Sequence, residues 1–486
     1  MAECSTGAKT RSLLHTEIQP EIMLGKKQYF ASVGLGMAAL QSFYNFSTGL
    51  WDTTGWWHAA NAMSATIDYS AYTDTLTYRT NIFHTFERYK NTNFYNKWFY
   101  DDDGWWALTW IKAYDLTGET RYLEMSKTIF KNMQAGWDSK CGGGMRWKKG
   151  NEPVYKNAIT NELFLAVAVR LHLRTPGDRG SGSYLDWAQR TWTWFKKSGM
   201  INSRNLVNDG LNDACKNNGQ TTWTYNQGVL LGGLVDLYKA TNDTALLEQA
   251  EAIANSAITH LAPKGILREP CELDCGEDGA QFKGVFIRNL HYLYQVTKRP
   301  RYREFILRNA NSIWAENRND ANQFGLSWAG KFDQADASRQ SSAMDALNAA
   351  FALSRERASY RSENRALSDL SANAEGSGVD RQDKRRSRDQ FVLTAPAAGR
   401  YTLTFRYAAA EGTASRYITV NQTGIVNNQT FPPTESWTQS NSVSVRGVWL
   451  NAGENTIAVN LDSDRGSQNG LLLEELTLSE RLQTIW

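Results

Sequence analysis

Four stretches of this sequence repeat one grammar: an apolar helical run, a short polar turn opened by Thr, and a second, amphipathic run. They are Trp105 to Trp137 broken at Thr117-Gly118-Glu119-Thr120, Asn157 to Phe195 broken at Thr175-Pro176-Gly177, Trp223 to Leu261 broken at Thr241-Asn242-Asp243-Thr244, and Gln281 to Trp314 broken at Thr297-Lys298-Arg299-Pro300. In the third, Val229, Leu230, Leu234, Leu237 and Tyr238 recur at helical spacing. The Gly, Asn and Pro in the breaks stop a helix, so each stretch reads as a helical hairpin. A repeated hairpin cannot bury its apolar face alone; it has to stack on copies of itself.

Further helical runs lie near Ala31 to Tyr44, Trp57 to Tyr72, Thr75 to Tyr89 and Ser341 to Leu353. With the eight in the hairpins they make twelve. Twelve helices alternating short turns with long loops fit a closed ring of six hairpins, and a superhelical stack is the alternative. The inner helices are expected to start near Trp57, Trp105, Asn157, Trp223, Gln281 and Ser341, after the longer loops, where Gly, Ala and Asn suit a crowded centre.

From Leu353 to Asp389 the texture turns to Arg, Ser, Glu and Asp with few apolar residues, and this reads as a linker. Beyond it, Tyr401 to Tyr407, Arg416 to Val420, Ser442 to Val445 and Thr456 to Asn460 alternate apolar and polar residues between turn signals, as strands of a small all-β domain do. The expected plan is an N-terminal extension at 1–30, a helical domain at 31–353, a polar linker at 354–389 and a β-sandwich at 390–486.

Composition removes several functions. With 53 basic and 50 acidic residues the net charge is +3, too balanced to draw nucleic acid or anionic lipid. No apolar stretch reaches the roughly 20 residues of a membrane-spanning helix. The chain ends Leu-Gln-Thr-Ile-Trp, without the small-residue site and apolar tail of a lipid anchor, so no membrane association is expected. A signal peptide is not evident: the run from Tyr29 to Leu40 behind Lys26 and Lys27 reads better as a helix. Sequons at Asn45, Asn242, Asn421 and Asn428 favour a secreted protein. Of five cysteines, Cys271 and Cys275 bracket a tight loop that a disulfide would fix; Cys141 and Cys215 either pair or stay as buried thiols, and Cys4 is left over. No metal or other cofactor is expected, and His58 and the other five histidines read as structural.

Aromatic residues make up 12% of the chain and include 18 tryptophans, more than a core needs, and flat apolar platforms of this kind suit sugar rings. The sharpest local feature sits among them: Trp98-Phe99-Tyr100-Asp101-Asp102-Asp103-Gly104-Trp105-Trp106, directly before an inner helix. Mutual repulsion and aromatic desolvation raise the pKa of at least one of three adjacent carboxyls, which a general acid near neutral pH requires. Neighbouring side chains can place two carboxyls about 5 Å apart, the separation of a retaining glycosidase rather than an inverting one. The plainer reading is helix capping, which suits Asp103 beside Gly104 and is open for the other two.

The block Asp101-Asp102-Asp103-Gly104-Trp105-Trp106-Ala107-Leu108 resembles the signature of glycoside hydrolase family 76, the endo-α-1,6-mannanases. The resemblance continues in Leu50 to Trp57, Cys141 to Gly144, Lys156 to Asn161, Trp223 to Gly228 and Gln281 to Gly284, and spans about residues 31 to 350. It implies an all-α (α/α)6 barrel and retaining hydrolysis of α-1,6-mannosidic bonds in fungal-type mannan. By that pattern Asp101 is the nucleophile that forms a mannosyl-enzyme and Asp102 the acid/base. The other blocks would line the same end of the barrel, with Trp56, Trp57, Trp105, Trp106 and Trp223 as stacking platforms, and with Asn61, Asn161, Asn226, Gln227, Gln281 and Lys283 bonding sugar hydroxyls. The partner is then α-1,6-mannan or a mannosylated glycan, bound by a monomer.

Two alternatives are a cell-wall transglycosylase acting on mannosylated glycolipid anchors and a catalytically silent mannan-binding protein; the intact aspartate pair counts against the second. The C-terminal part resembles carbohydrate-binding modules of families 6 and 35 in Gly399 to Tyr407, Ser436-Trp437 and Leu450 to Ile457. It departs from them in the charged run Arg381 to Arg388 and in Leu471 to Glu475, which replaces the Asn and Asp expected near a sugar site.

Overall fold

The computed structural model describes residues 26–150, 153–355, 358–361, 388–395, 398–437, 439–461 and 467–480. The N-terminal extension up to residue 25, with Cys4, and the stretch 362–387 of the expected linker lie outside the described residues. The chain divides into two compact units, residues 1–350 and 351–486.

The first unit is helical. Among the described residues its α-helices are α1 (Lys26–Gln41), α2 (Trp56–Thr73), α3 (Arg79–Tyr89), α4 (Tyr100–Thr117), α5 (Thr120–Met133), α6 (Ala158–His172), α7 (Tyr184–Ser198), α8 (Thr224–Thr241), α9 (Thr244–His260), α10 (Phe282–Thr297), α11 (Pro300–Glu316) and α12 (Ala337–Ser354). In three of the four hairpins the Thr that opens the turn has a mechanical role, Thr175 being the exception. Thr117, Thr241 and Thr297 return their hydroxyls to the carbonyls of Ala113, Leu237 and Leu293, four residues back. The next residues, Gly118, Asn242 and Lys298, take the left-handed conformation that ends a helix. The chain then reverses into the second helix.

The even-numbered helices are the buried ones. Every residue of α6 from Ala158 to Val169 is buried, which a surface helix cannot tolerate and a central one requires. Contacts run from α2 to α4, α4 to α6, α6 to α8 and α8 to α10. From α10 the sequence continues to α12, where the Gly284 N–H donates to Ser342 Oγ at 3.0 Å, and α12 returns to α2 through Asn348 Nδ2 and the Ala65 carbonyl at 2.9 Å. The helices approach closely because glycine allows it: a Cβ at Gly228 would lie 2.5 Å from Phe286 Cα, and one at Gly284 would lie 2.6 Å from Ser342 Cα. The odd-numbered partners α5, α7, α9 and α11 each pack on the even-numbered helix before them. No described helix is long and apolar enough to cross a membrane.

The first unit also carries a two-stranded antiparallel ribbon, β1 (Tyr44–Asn45) with β2 (Leu50–Trp51), and the second unit contains two four-stranded antiparallel sheets. One has the order β3 (Ala358–Arg361), β10 (Leu472–Glu480), β5 (Gly399–Ala408), β8 (Asn441–Leu450); the other has the order β4 (Arg388–Ala395), β9 (Gly453–Asn460), β6 (Ala414–Val420), β7 (Thr423–Phe431). Alternation puts Leu403, Phe405 and Tyr407 inward from β5, and they share one core with Phe391, Ile418, Phe431 and Ile457 of the other sheet. Residues 358–361, read from sequence as linker, form a strand. Pairing along β10 uses main-chain groups, so a polar composition does not prevent it.

Candidate active site

Asp101, Asp102 and Asp103 occupy the first turn of α4, where backbone N–H groups lack partners within the helix and favour negative charge. They have separate surroundings. Asp103 is fully buried and spends both oxygens on structure: Oδ1 accepts from the Asn96 backbone N–H at 2.7 Å, and Oδ2 accepts from Asn132 Nδ2 at 2.8 Å and Lys149 Nζ at 2.6 Å. The sequence suggested that Asp103 caps the helix. It ties the preceding loop down instead, because from inside the first turn its side chain points back over that loop.

Asp101 and Asp102 are the free-standing pair. Asp101 is half-buried; its Oδ2 accepts the Trp147 indole N–H at 2.9 Å and its Oδ1 lies 3.2 Å from the Asp102 backbone N–H. Asp102 is 9% exposed and its Oδ2 accepts from Asn96 Nδ2 at 2.7 Å. Burial raises both. Asp101 is pushed up to about 7 by desolvation, restrained by the backbone N–H groups and the Trp147 indole that favour its charge. Asp102 is pushed further, to about 8, by desolvation and then by the negative charges of Asp101, Asp103 and Asp278. The N–H donors favour charge on Asp101 and the surrounding acids favour the proton on Asp102, so the two sites are unlike and Asp102 is the harder to ionise.

Asp278 is the fourth acid, and the sequence reading did not single it out. It follows the Cys271–Cys275 disulfide, accepts the Trp57 indole N–H at 3.0 Å and pairs with His58 Nε2 at 3.1 Å. Its hydrogen bond with His58 is the main reason its carboxyl is held below the ordinary value. Asp278 is sequence-distant from the pair by more than 170 residues, so only the fold could bring them together.

The aromatic candidates separate into two groups. Trp57, Trp105, Tyr225 and Phe282 form a stacked layer: Trp57 lies on Trp105 at 5.6 Å and on Phe282 at 6.2 Å, Trp105 on Tyr225 at 6.4 Å, and Tyr225 on Phe282 at 3.8 Å. Trp223 meets Phe282 edge-on at 5.5 Å. Trp56 and Trp106 turn the other way, into a cluster with Phe94, and Trp106 is fully buried. Trp106 packs the core; Trp56 is half-buried at the edge of that cluster. Burial, then the charges of Asp209, Asp101, Glu162 and Asp278, push the Tyr225 hydroxyl well up.

Most of the predicted polar ligands have another task. In α6 and α8 the amide at the fourth helical position makes a two-way bond to the main chain of the preceding loop. Asn161 Oδ1 accepts from Met145 N at 2.7 Å and its Nδ2 donates to Met145 O at 3.1 Å. Gln227 does the same with Val207, at 2.8 and 2.9 Å. Gln340, at the same position of α12, accepts from Phe324 N at 2.9 Å. Met145, Val207 and Phe324 each belong to an isolated β-bridge in their loops, so one docking device recurs along the chain, with Asp103 and Asn96 as its acidic version.

Gln281 bonds the His58 carbonyl and Ser341, Lys283 bonds Glu272 and the Leu326 carbonyl, and Asn61 accepts from Arg288. These five side chains, Asn61, Asn161, Gln227, Gln281 and Lys283, are buried and bonded to the protein's own groups, with the Gln281 amide oxygen left without a partner among the described residues; at Asn161 and Gln227 the amide serves a loop. Asn226 differs. It is fully buried, and among the described residues neither atom of its amide has a hydrogen-bond partner; the same holds for both oxygens of Glu162, which burial pushes well above the ordinary carboxyl range.

A separate cavity of about 460 Å³ lies against Trp105 and is lined mainly by later turns of the even-numbered helices, including Lys112, Arg170, Arg174 and Arg288. Each of these cations is paired, with Asp68, Asp236, Asp115 and Asp345 respectively. It presents no unmet charge.

The model of glycosyl hydrolase family 76 matches residues 37–362. The chain belongs to this family. A Schizosaccharomyces pombe protein with the provisional name mannan endo-1,6-alpha-mannosidase is 33% identical over 211 residues, 40% of this chain and 47% of that one. The mannan endo-1,6-alpha-mannosidase DFG5 of Saccharomyces cerevisiae is 29% identical over 260 residues, 48% of this chain and 56% of that one. The chain spans about half the length of the curated relatives it matches.

Among solved structures, an inactive variant of an alpha-1,6-mannanase from Salegentibacter sp. HEL1_6 aligns with a TM-score of 0.60 at 23% identity, over 67% of this chain and 99% of that one. In that variant two consecutive aspartates are replaced by asparagine, and it is in complex with alpha-1,6-mannotriose. Dfg5 from Chaetomium thermophilum, in complex with glucosamine, aligns with a TM-score of 0.61 at 20% identity, over 69% of this chain and 92% of that one. The helical unit thus has the fold of the family 76 proteins.

Proposed function

We propose that the helical unit is an (α/α)6 barrel that hydrolyses α-1,6-mannosidic linkages inside fungal-type mannan with retention of configuration. The observation that carries this reading is the unlike pair at the start of α4. Asp101, ionised and held by N–H donors, attacks the anomeric carbon; Asp102, kept protonated among acids, gives its proton to the departing oxygen. Asp102, now a carboxylate, then takes a proton from the water that releases the mannosyl-enzyme. Trp57 and Tyr225, both half-buried, supply apolar faces, with the buried Trp105 stacked against each of them. The Salegentibacter variant, in which loss of two consecutive aspartates leaves a mannotriose complex, and the names of the fungal relatives support the substrate class.

The remaining expectations form part of the same reading: a secreted monomer in which the sandwich is a carbohydrate-binding-like module, with domains near 31–353 and 390–486. The test is incubation of the protein, beside Asp101→Asn and Asp102→Asn, with linear α-1,6-mannan while reducing ends and product anomer are followed by proton NMR. Initial release of α-anomers that both substitutions reduce by at least about 10³-fold is the expected result. Initial β-anomers would refute retention, and an active Asp101→Asn would refute the assignment.

A further inference from the structure

The site contains one donor whose position is unusual. Residues 147–149 run antiparallel to residues 98–100: the Tyr100 N–H donates to the Trp147 carbonyl at 3.1 Å, the Lys149 N–H to the Trp98 carbonyl at 2.8 Å, and Phe99 bridges Lys148. One residue therefore holds the catalytic turn twice. Its carbonyl takes the first backbone N–H of α4, and its indole takes the Asp101 carboxyl at 2.9 Å. The ring itself has little freedom. It stacks on Phe99 at 4.9 Å, the Lys148 ammonium lies 5.4 Å from its centre, and its own N–H is anchored on the Tyr155 carbonyl at 2.9 Å.

The two oxygens of Asp101 are thereby made unequal. Oδ2 accepts a short, well-placed bond from a neutral donor on a fixed ring. Oδ1 has a 3.2 Å contact with the Asp102 backbone N–H, at the long limit of N–H···O bonds. The geometry points to Trp147 as a positioning residue for Asp101, holding Oδ2 as the spectator oxygen and leaving Oδ1 to bond the anomeric carbon. This rests on the reading of Asp101 as nucleophile.

The consequence differs between the two halves of the reaction. In the first, an Oδ1 lone pair forms the bond to C1 while the C1–O glycosidic bond breaks; its electron pair stays on the leaving oxygen, which takes the Asp102 proton. Negative charge leaves Asp101, so the indole bond weakens. In the second, water attacks C1, Asp102 takes its proton, and the C1–Oδ1 pair returns to Asp101. Charge now develops on the carboxylate while the indole already faces Oδ2, so the donor assists this half. Trp147 is therefore a residue for release of the mannosyl-enzyme more than for its formation.

Trp147→Phe removes the donor and keeps an aromatic ring and both main-chain bonds; Trp147→Leu, likewise without a side-chain donor, is the second variant should the first fold poorly. Steady-state kinetics on α-1,6-mannan oligosaccharides and a pH profile of kcat/KM are measured beside the parent and Asp101→Asn. The expected result is a kcat lower by about 10- to 100-fold with KM falling alongside it, because the intermediate accumulates, and an acid limb of kcat/KM moved to higher pH, because Asp101 loses a donor to its charged form. An inactive Asp101→Asn together with unchanged kcat and acid limb in both Trp147 variants, or with a rise in KM alone, overturns the inference while leaving the nucleophile in place. Activity retained by Asp101→Asn overturns the nucleophile and the inference with it.

Discussion

Replacing Gln227 by Leu separates a structural amide from a sugar ligand. Gln227 and Val207 are both fully buried, and the Gln227 amide satisfies the Val207 N–H at 2.8 Å and the Val207 carbonyl at 2.9 Å. Leucine fills nearly the same volume, so no sizeable cavity opens, but two backbone groups are left in a dry interior without partners. At about 1–3 kcal/mol for each such group, the helical unit loses about 2–6 kcal/mol of stability. The Trp223 carbonyl, the third partner, keeps its place in the α8 ladder and adds little. Urea unfolding followed by tryptophan fluorescence is the assay, since 15 of the 18 tryptophans lie between residues 51 and 328 and the signal reports the helical unit. A loss below about 1 kcal/mol, combined with a raised KM for mannan oligosaccharides, would refute the docking argument and restore Gln227 to the sugar site.

Three other outcomes are expected. Asp278→Asn removes a negative charge that raises Asp102, so Asp102 gives up its proton at lower pH and the alkaline limb of kcat/KM moves down; an unmoved limb would break the electrostatic link. Asp102→Asn should be more stable than the parent at pH 8 and nearly equal near pH 4. The folded-state pKa of Asp102 is raised to about 8 from an unfolded value of about 4, so the native state binds the extra proton across that window and stability falls as pH rises through it. Parallel urea midpoints from pH 4 to 8 would contradict this. Burial has already raised the Asp345 carboxyl to about 6 against the lowering effect of Arg288, so Arg288→Met pushes it further up and also takes the partner from Asn61, and a loss of about 3–5 kcal/mol is expected in the same unfolding assay at neutral pH. A loss near zero would mean that Asp345 is held by something other than this pair.

The repeat grammar carried most of the fold. Thr117, Thr241 and Thr297 each mark a turn because the hydroxyl and the left-handed residue after it act locally, within four residues, and local chemistry is visible in a sequence. The alternation in β5, β6, β8 and β9 is legible for the same reason, whereas β7 is not read from the sequence. So was the aspartate pair, since three acids among aromatics have few uses and all lie in one turn.

The rest depended on contacts between distant residues. An amide near a helix start has the same sequence appearance whether it faces a sugar or a loop, and Asn161 and Gln227 face loops only because Met145 and Val207 fold back over them. Trp56 and Trp57 are neighbours in the chain, yet successive helical residues point about 100° apart, so one joined the cluster around Trp106 and the other the stacked layer. Asp278 and Trp147 bear on the turn that holds Asp101 and Asp102 from two separate loops, and nothing local in the chain distinguishes them. Sequence alone determined the helical hairpins, the sheet segments and the chemistry concentrated at Asp101 and Asp102, because those are properties of neighbouring residues. Tertiary packing decided which oxygen of Asp101 is held, which acid burial and neighbouring charge raise further and which tryptophans enter the stacked layer, because burial and charge at a point in space are summed over many distant residues.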